Sequence, residues 1–303
     1  MLVEIYKLGR RIYDLKNWRE AHRFVVFLGR VVFYWQPIVR LYKWFHSDDE
    51  LRYILKKNPF LIEQATRAFF YAGATLRDRI KLIKNHIKYL REIMDADWAH
   101  RLIVFNACYT IWQSSEKDID WRAQITMEPG QRKEGLLSVM MLLDDKPLYQ
   151  IIFWINKNKN NEDSLWIGAM QGPNMDDAKA IIKDITKRSH RYRTKNLILY
   201  MVMAVARNLR CKHIYAVSNE GYYAMNHVRS DRKLKTDFGE FWEEVGGWVT
   251  DDHRFFEIPL VEKRKAMDDV PTRKRAVYRK RFIFQDDVDV QIAENIKKII
   301  KKA

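Results

Sequence analysis

The spacing of apolar residues along the chain changes once, near residue 114, and this change indicates the fold class. Upstream, apolar residues recur three and four positions apart, which is the spacing of a helical face. Two such faces are Ile5, Leu8, Ile12 and Leu15, and Leu76, Ile80, Ile83, Ile87 and Leu90. Downstream of a short polar stretch at 114–120, apolar runs alternate with turn residues, as in strands. We therefore predict an α+β protein, with an N-terminal helical region at 1–115 and, at 116–303, a mixed β-sheet domain flanked by helices and ending in a C-terminal helix.

Three apolar runs in the second part predict neighbouring strands. They cover residues 136–143, 149–155 and 165–170, and turn residues separate them at the spacing of hairpins. Hairpin-linked strands pair antiparallel, so the sheet should begin as an antiparallel meander.

Two helices and a fourth strand should follow the meander. We expect one helix to be capped by Asn174 and to end near Arg188, and a second helix at 194–210 to lead directly into a strand at 213–217. This order makes 165–170 and 213–217 plausible parallel neighbours, which would make the sheet mixed.

The net charge of +16 over 303 residues favours anionic partners. Phosphate-bearing cofactors, acidic carrier proteins, RNA and anionic lipid are all candidates, and a merely soluble basic protein is the alternative. The first residues lack a secretory signal because charges interrupt them, so we expect a cytoplasmic protein. The interrupting charges are Glu4, Lys7, Arg10 and Arg11.

The segment 23–44 mixes cations with aromatic residues and is the most membrane-like part of the chain. Its apolar stretch at 24–39 is broken by Arg30 and Pro37 and falls short of the roughly 18 residues needed to span a bilayer, so no transmembrane segment is predicted. One interpretation is a helix in the lipid interface, which would place the protein peripherally at the inner membrane. We favour an aromatic core helix whose arginines extend to solvent.

The stretch 185–219 contains eight cations and no acidic residue. Its densest part, 187–195, leads into the second predicted helix, whose free N–H groups and positive dipole end favour phosphate. We therefore predict an anion-binding loop. Its side chains are Arg191, Arg193, Lys195 and Asn196. The alternative is that the cations only complement the negative end of the preceding helix.

The order of strand, basic loop, helix and strand resembles the unit with which GNAT-type acyltransferases hold the pyrophosphate of coenzyme A. The resemblance implies that an acyl chain lies between two splayed parallel strands, with backbone contacts from Gln171 and Gly172. In that family, glycines in the loop let the backbone approach the phosphate, whereas residues 191–196 contain no glycine. Members that use carrier-protein or transfer-RNA donors often lack this motif as well. The implied donor is therefore acyl-CoA, acyl-carrier protein or aminoacyl-tRNA.

Five segments in series resemble the VirK/YbjX family. They are residues 167–173, 185–195, 217–219, 241–247 and 273–281. The resemblance runs from about Ala107 to Ile292. It implies a bacterial cytoplasmic protein linked to virulence, envelope homeostasis and resistance to cationic antimicrobial peptides, in a family whose biochemical activity is poorly defined.

Four residues are candidates for proton transfer. His190 lies in the basic loop, where neighbouring cations should lower its pKa and favour a neutral base. Tyr222 or Tyr223 can protonate a leaving thiolate, as a tyrosine often does in GNAT-type enzymes, and Glu243 can act as a base for an amine. The simpler alternatives are a surface histidine, two packing tyrosines and a salt bridge from the glutamate to the basic run at 273–281.

The basic run at 273–281 lies in a stretch, 242–281, whose pattern predicts further strands. In a strand its cations would divide between two faces. They can extend the anion site to RNA or lipid phosphate, or form a solvated edge that discourages aggregation.

No metal site is predicted. Asp251, Asp252 and His253 are adjacent in a turn, and three adjacent residues seldom converge on one ion. Cys108 and Cys211 are far apart in the sequence, so we predict two buried free thiols rather than a redox pair.

The leading hypothesis is an acyl- or aminoacyltransferase that moves a group from a polyanionic donor to an amine on a peptide, protein or envelope lipid. The alternative is a non-enzymatic peripheral inner-membrane factor that supports envelope integrity and antimicrobial peptide resistance. RNA binding is a third interpretation, but the sequence contains no recognised RNA-binding module.

Overall fold

The computed structural model of the protein describes residues 2–127, 129–226 and 237–302. The strands of this part form one sheet: β1 (Tyr109–Gln113), β2 (Trp121–Thr126), β3 (Leu137–Leu143), β4 (Lys146–Lys157), β5 (Asp163–Gln171), β6 (His213–Val217), β7 (Trp248–Val249) and β8 (Phe255–Ile258). Their order across the sheet is β1-β2-β3-β4-β5-β6-β8-β7. Among these strands only β5 and β6 pair in parallel, so the sheet is mixed.

Helices precede the sheet and cover it, which confirms the α+β fold class. Those before the sheet are α1 (Leu2–Ile12), α2 (Trp18–Phe33), α3 (Trp35–Phe45), α4 (Asp49–Lys57), α5 (Phe60–Thr66), α6 (Leu76–Ile93) and α7 (Ala96–Phe105). Those that follow are α8 (Ala178–Arg188), α9 (Thr194–Asn208), α10 (Phe238–Glu244) and α11 (Thr272–Ile299).

The predicted meander is confirmed in β3, β4 and β5, and so is the parallel pair. The register of β5 on β6 runs from Ser164 opposite His213 to Ile167 opposite Ala216. The first crossover helix begins later than predicted, after Asp177 rather than Asn174.

Two strands, β1 and β2, were not predicted. The polar stretch 114–120, interpreted as a linker, is the connection between them, and Ser114 N donates to Trp121 O at 2.8 Å. The buried apolar side chains of the N-terminal helices and of the sheet form one continuous core. The division of the chain at residue 115 therefore stays a prediction about independent folding units.

Helix α9 is the central helix of the fold, since it contacts β3, β4 and β6 as well as α11. It is apolar on all sides, as expected for a helix surrounded by protein. Helix α11 covers α9 with a buried seam of Val288, Ile292, Ile296 and Ile299.

The prediction of a strand at 273–281 is wrong, because these residues form the first turns of α11. Their run of cations hides the helical spacing, which becomes visible only beyond residue 285. One cation of this run, Arg281, reaches back to the basic loop.

Helix α6 ties the N-terminal helices to the sheet. The backbone N–H of Ile155, in β4, donates to Nδ1 of His86 at 3.0 Å. His86 is fully buried, and this burial lowers its pKa to about 3, so the ring is neutral and can accept the bond. A polar group of the sheet is thus satisfied by a helix side chain.

Helices α2 and α3 meet at an angle of 97°. Six of their apolar side chains are buried, as the core interpretation of 23–44 expects: Phe24, Phe27, Val31, Ile38, Leu41 and Phe45. Four others are strongly exposed: Trp18, Val25, Val32 and Phe33. No single helix in the part of the chain described here is long and apolar enough to span a membrane, while the bent pair α2–α3 has the length and composition together.

The prediction of two buried thiols holds for only one cysteine. Cys211 is buried, and burial raises the pKa of its thiol to about 12. Cys108 is exposed, because it lies in the short connection between α7 and β1.

Candidate functional site

The parallel strands β5 and β6 separate at their carboxyl ends. Their pairing ends at Ile167 and Ala216, while β5 continues to Gln171. The chain before β3 crosses β5 at this point. A Cβ atom at Gly168 would overlap the carbonyl oxygen of Glu134, so glycine is required for this approach. Glu134 is thus fixed close to where the two parallel strands part.

Glu134 is 5% exposed, and its carboxyl group accepts hydrogen bonds from Tyr222 and Tyr223. Its Oε1 is 3.5 Å from the hydroxyl of Tyr222. Burial raises the pKa of Glu134 to about 7, although the charge of Lys133 and hydrogen bonds from Tyr222 and Tyr223 oppose the rise. A carboxyl group with this pKa can give and take a proton near neutral pH.

The pKa of Tyr222 is raised far above its ordinary value. Burial is the largest cause, followed by the negative charge of Glu134. The tyrosine therefore stays protonated at neutral pH and can donate to the carboxylate. Glu134 and Tyr222 form an acid–base pair built from two distant parts of the chain.

A segment of the N-terminal region holds this pair in place. Phe70 N donates to Lys133 O at 2.8 Å, and Ala72 N donates to Gly221 O at 2.8 Å. Between these two bonds, Tyr71 forms an antiparallel bridge with Tyr222. The segment 69–72 therefore joins the two chain parts that carry the acid–base pair.

Helix α10 connects the acid–base pair with the basic loop. On one side the ring of Phe238 lies 5.7 Å from that of Tyr222. On the other, Lys195 Nζ lies 4.4 Å from the ring centre of Phe241, and Glu244 pairs with Arg193 and with Lys195 (3.3 Å). The acid–base pair and the basic loop therefore lie against one short helix.

The backbone of the basic loop folds on itself instead of presenting N–H groups to a ligand. The N–H groups of His190, Arg191 and Tyr192 donate to Lys187 O, Thr186 O and Ser189 O. Arg281 caps the loop by donating to the carbonyl oxygens of His190 (3.3 Å) and Arg191 (3.0 Å). An anion bound here would be held by side chains, unlike the phosphate in a glycine-rich loop.

A small cavity of about 320 Å³ lies beside the loop. Asn196 lines it, and its Oδ1 is buried without a hydrogen-bond partner in the part of the chain described here. Glu262 and Tyr192 line it too and bond to each other. The basic lining residues are Lys263, Arg264, Lys265 and Arg281.

Other predicted site residues occupy exposed or packing positions. Glu243 is exposed on α10, and it is the neighbouring Glu244 that pairs with the loop. Gln171 and Gly172 are exposed at the end of β5. His190 packs edge-on against Phe284, and its pKa is lowered by burial first and by the cations Lys280 and Arg281 after it.

Sequence reasoning missed Glu134 altogether. In the sequence it is one acid before a glycine, in a stretch that resembles an ordinary turn. Its burial arises from residues far away in the chain, and no local pattern marks it.

No group of three or more His, Cys, Asp or Glu side chains that could hold a metal ion occurs in the described ranges. Two acidic side chains of the turn at 251–253 form ion pairs. Asp251 pairs with Lys159, and Asp252 pairs with Arg254 at 2.7 Å.

Comparison with known proteins identifies relatives of this chain without identifying its activity. The family model described as "Protein of unknown function (DUF535)" matches residues 16–294. The uncharacterized protein YbjX of Escherichia coli is 26% identical over 246 residues, covering 80% of this chain and 74% of that protein.

Two uncharacterized proteins of Haemophilus influenzae are also similar. One is 27% identical over 177 residues, covering 58% of each protein, and the other is 29% identical over 156 residues, covering 47% of this chain and 52% of the relative. No solved structure matches the chain. The GNAT resemblance stays a prediction, whereas the family resemblance is confirmed: the chain belongs to the DUF535 family, to which its similarity with YbjX also points.

Proposed function

We propose that the protein transfers an acyl or aminoacyl group from a polyanionic donor to an amine. The observation that carries the proposal is the contact between Glu134 and Tyr222, 3.5 Å apart, close to where the parallel strands separate. The GNAT resemblance implies that the reacting carbonyl lies in this opening.

The pair can complete a balanced proton cycle. The amine nitrogen attacks the donor carbonyl carbon, the bond from that carbon to the leaving sulfur or oxygen breaks, and Glu134 accepts the proton released by the amine. Tyr222 gives its proton to the leaving group. Glu134 then returns its proton to the Tyr222 phenolate, which restores both residues.

The basic loop and its cavity support a polyanionic donor. Arg191 is exposed, and Arg193 and Lys195 share the single carboxylate of Glu244, so positive charge remains for phosphates. Asn196 adds an amide at the adjacent cavity. Acyl-CoA, acyl-carrier protein and aminoacyl-tRNA all fit this charge, and the acceptor amine belongs to a peptide, a protein or an envelope lipid.

The test is transfer of a radiolabelled acyl or aminoacyl group by the purified full-length protein, with each donor class offered in turn against amine acceptors. Replacing the base should lower the rate about 100-fold or more, so Glu134→Gln should be almost inactive. Tyr222→Phe should lose less of the transfer rate than Glu134→Gln does. Donors that bind saturably but are never consumed, in wild type and variants alike, would refute the transferase proposal.

A second candidate function rests on the surface of α2. Several apolar side chains of this helix are strongly exposed, among them Trp18 (82%), Val25 (64%) and Phe33 (80%). With the net charge of +16, this surface supports a peripheral factor at an anionic membrane that maintains the envelope and resistance to cationic peptides. Replacing the three residues with serine should abolish co-sedimentation with anionic vesicles if this candidate is correct.

A further inference from the structure

A large cavity lies among the N-terminal helices, and neither Glu134 nor Tyr222 lines it. It is open to solvent and has a volume of about 1440 Å³, larger than the roughly 300–1,000 Å³ typical of small-molecule pockets. Its walls are α2, the start of α3, the segment 66–75 and the first turns of α6. The residues that face it include Gly29, Arg30, Phe33, Pro37, Arg79 and Ile80.

Among the described residues that line the cavity, five are cations and none is a carboxylate. Arg79 is only 6% exposed, and its guanidinium donates to the carbonyl oxygens of Ala65 (2.8 Å) and Ala74, which are neutral acceptors. Arg30 is half-buried, and burial and its neighbour Arg67 lower its pKa. Positive charge is therefore held in a partly desolvated place, which is unfavourable without an anion.

The nearest acids are already engaged in other interactions. Asp78 accepts hydrogen bonds from Thr75 N (3.0 Å) and Thr75 Oγ1 (2.7 Å) and so caps α6. Glu63 is fully buried and pairs with Arg67 and with Arg132. Asp78 attracts Arg79 and Glu63 attracts Arg30 from a distance, but neither acid lines the cavity.

The start of α6 also borders the cavity, because Thr75, Leu76 and Arg77 line it. The carboxylate of Asp78 already caps this amino end, so the positive potential of the cavity comes mainly from the cationic side chains.

Much of the remaining wall is apolar. Val26, Phe33, Pro37 and Ile80 line it, and the exposed ring of Phe33 extends the apolar surface to the outside. A free anion would use the arginines but leave this wall in water. A ligand that carries both a phosphate and a hydrocarbon chain would satisfy both surfaces.

We propose that this cavity binds a phosphate-bearing lipid, with the phosphate at Arg30 and Arg79 and the acyl chain along Phe33 and Pro37. This binding does not depend on the transfer chemistry. It extends the membrane-associated candidate by naming a site for one lipid molecule.

Gly29 offers a variant that closes the cavity without changing its charge. A Cβ atom added there would meet nothing within 4 Å, so the space beside it is open. Gly29→Phe should fill this space, whereas Gly29→Ala should leave most of it free and, as a better helix former, should preserve folding. The two variants form a matched pair.

The probe is dihexanoyl phosphatidic acid below its micellar concentration, with binding followed by calorimetry. We expect saturable binding to wild type and to Gly29→Ala, and a loss of about tenfold or more in Gly29→Phe. Arg30→Gln should lose about tenfold, as expected for one charge-assisted contact. Arg19→Glu, on the same helix and outside the cavity lining, should bind as wild type does.

Two further ligands separate the possible sources of binding. Inorganic phosphate should bind much more weakly than the lipid, because it leaves the apolar wall exposed; equal affinity would overturn the lipid proposal. Dihexanoyl phosphatidylcholine should also bind more weakly, because its head group is zwitterionic.

The cavity-filling variant gives a second way to refute the proposal. If Gly29→Phe, shown to be folded by its melting temperature, binds phosphatidic acid with unchanged affinity, the lipid binds elsewhere and the proposal is wrong. Vesicle co-sedimentation of the same variants tests membrane association separately.

Discussion

The hydroxyl of Tyr222 lies 3.5 Å from Oε1 of Glu134, although 88 residues separate the two in the sequence. The tyrosine hydrogen bond stabilises the carboxylate and lowers the pKa of Glu134, against the larger effect of burial. In Tyr222→Phe the pKa of Glu134 should therefore rise further. Carbon-13 NMR titration of the glutamate side chains measures it directly. An unchanged titration of Glu134 would show that the two side chains do not interact in solution.

Glu134 should also make stability depend on pH. Its folded pKa of about 7 lies above its ordinary value of 4.5, so between these pH values the folded state binds more protons than the unfolded state. The contribution of Glu134 to the free energy of unfolding is fully present below about pH 4.5. It is lost as the pH rises through 7, and the loss is on the order of 3 kcal/mol.

Denaturant unfolding of wild type and Glu134→Gln at pH 5 and pH 8 measures this effect. The variant lacks the titration, so it should gain stability relative to wild type as pH rises. Equal differences at both pH values would mean that the carboxyl group titrates normally.

Gly168 should be intolerant of a side chain. A Cβ atom there would overlap the carbonyl oxygen of Glu134, and the backbone must shift to admit it. Gly168→Ala should therefore lower the free energy of unfolding by about 1–3 kcal/mol, as overpacking does. Gly172→Ala is the matched control, because its Cβ would lie 3.4 Å from Tyr149, an ordinary contact. Similar stabilities in the two variants would contradict the close approach.

Glu244 should restrain the basic loop. It neutralises part of the charge of Arg193 and Lys195, so Glu244→Gln should strengthen the binding of coenzyme A by about two- to fivefold at low salt, as expected for surface ion pairs. Glu243→Gln removes the same charge from the next, exposed position without touching these pairs. Isothermal titration calorimetry compares the two. Equal gains would indicate an effect of net charge alone.

The sequence predicts those strands and helices whose residue pattern is visible within a short stretch of the chain. The runs 136–143, 149–155 and 165–170 are apolar and bounded by turn residues, and all three are strands. The segment 109–113 is short and precedes a polar stretch, so nothing local distinguishes β1 from the end of a helix. In the run 273–281, charge conceals the helical period.

The candidate site could be predicted only in part, because it is assembled from distant segments. Tyr222 was suggested by its place after β6, and Lys195 by the charge around it. Glu134 owes its raised pKa to burial, and the neighbours of its carboxyl group, such as Tyr222, come from distant parts of the sequence. Only tertiary structure supplies that environment.

The crossover between β5 and β6 has a consequence for the order in which the protein is made. The antiparallel strands β3 to β5 can pair as soon as they emerge from the ribosome, whereas β6 cannot dock until residues 172–212, with α8 and α9, have been synthesised and folded. Tyr222 comes later still. A nascent chain that ends before it carries a glutamate with no proton donor, so the acid–base pair is completed only late in synthesis.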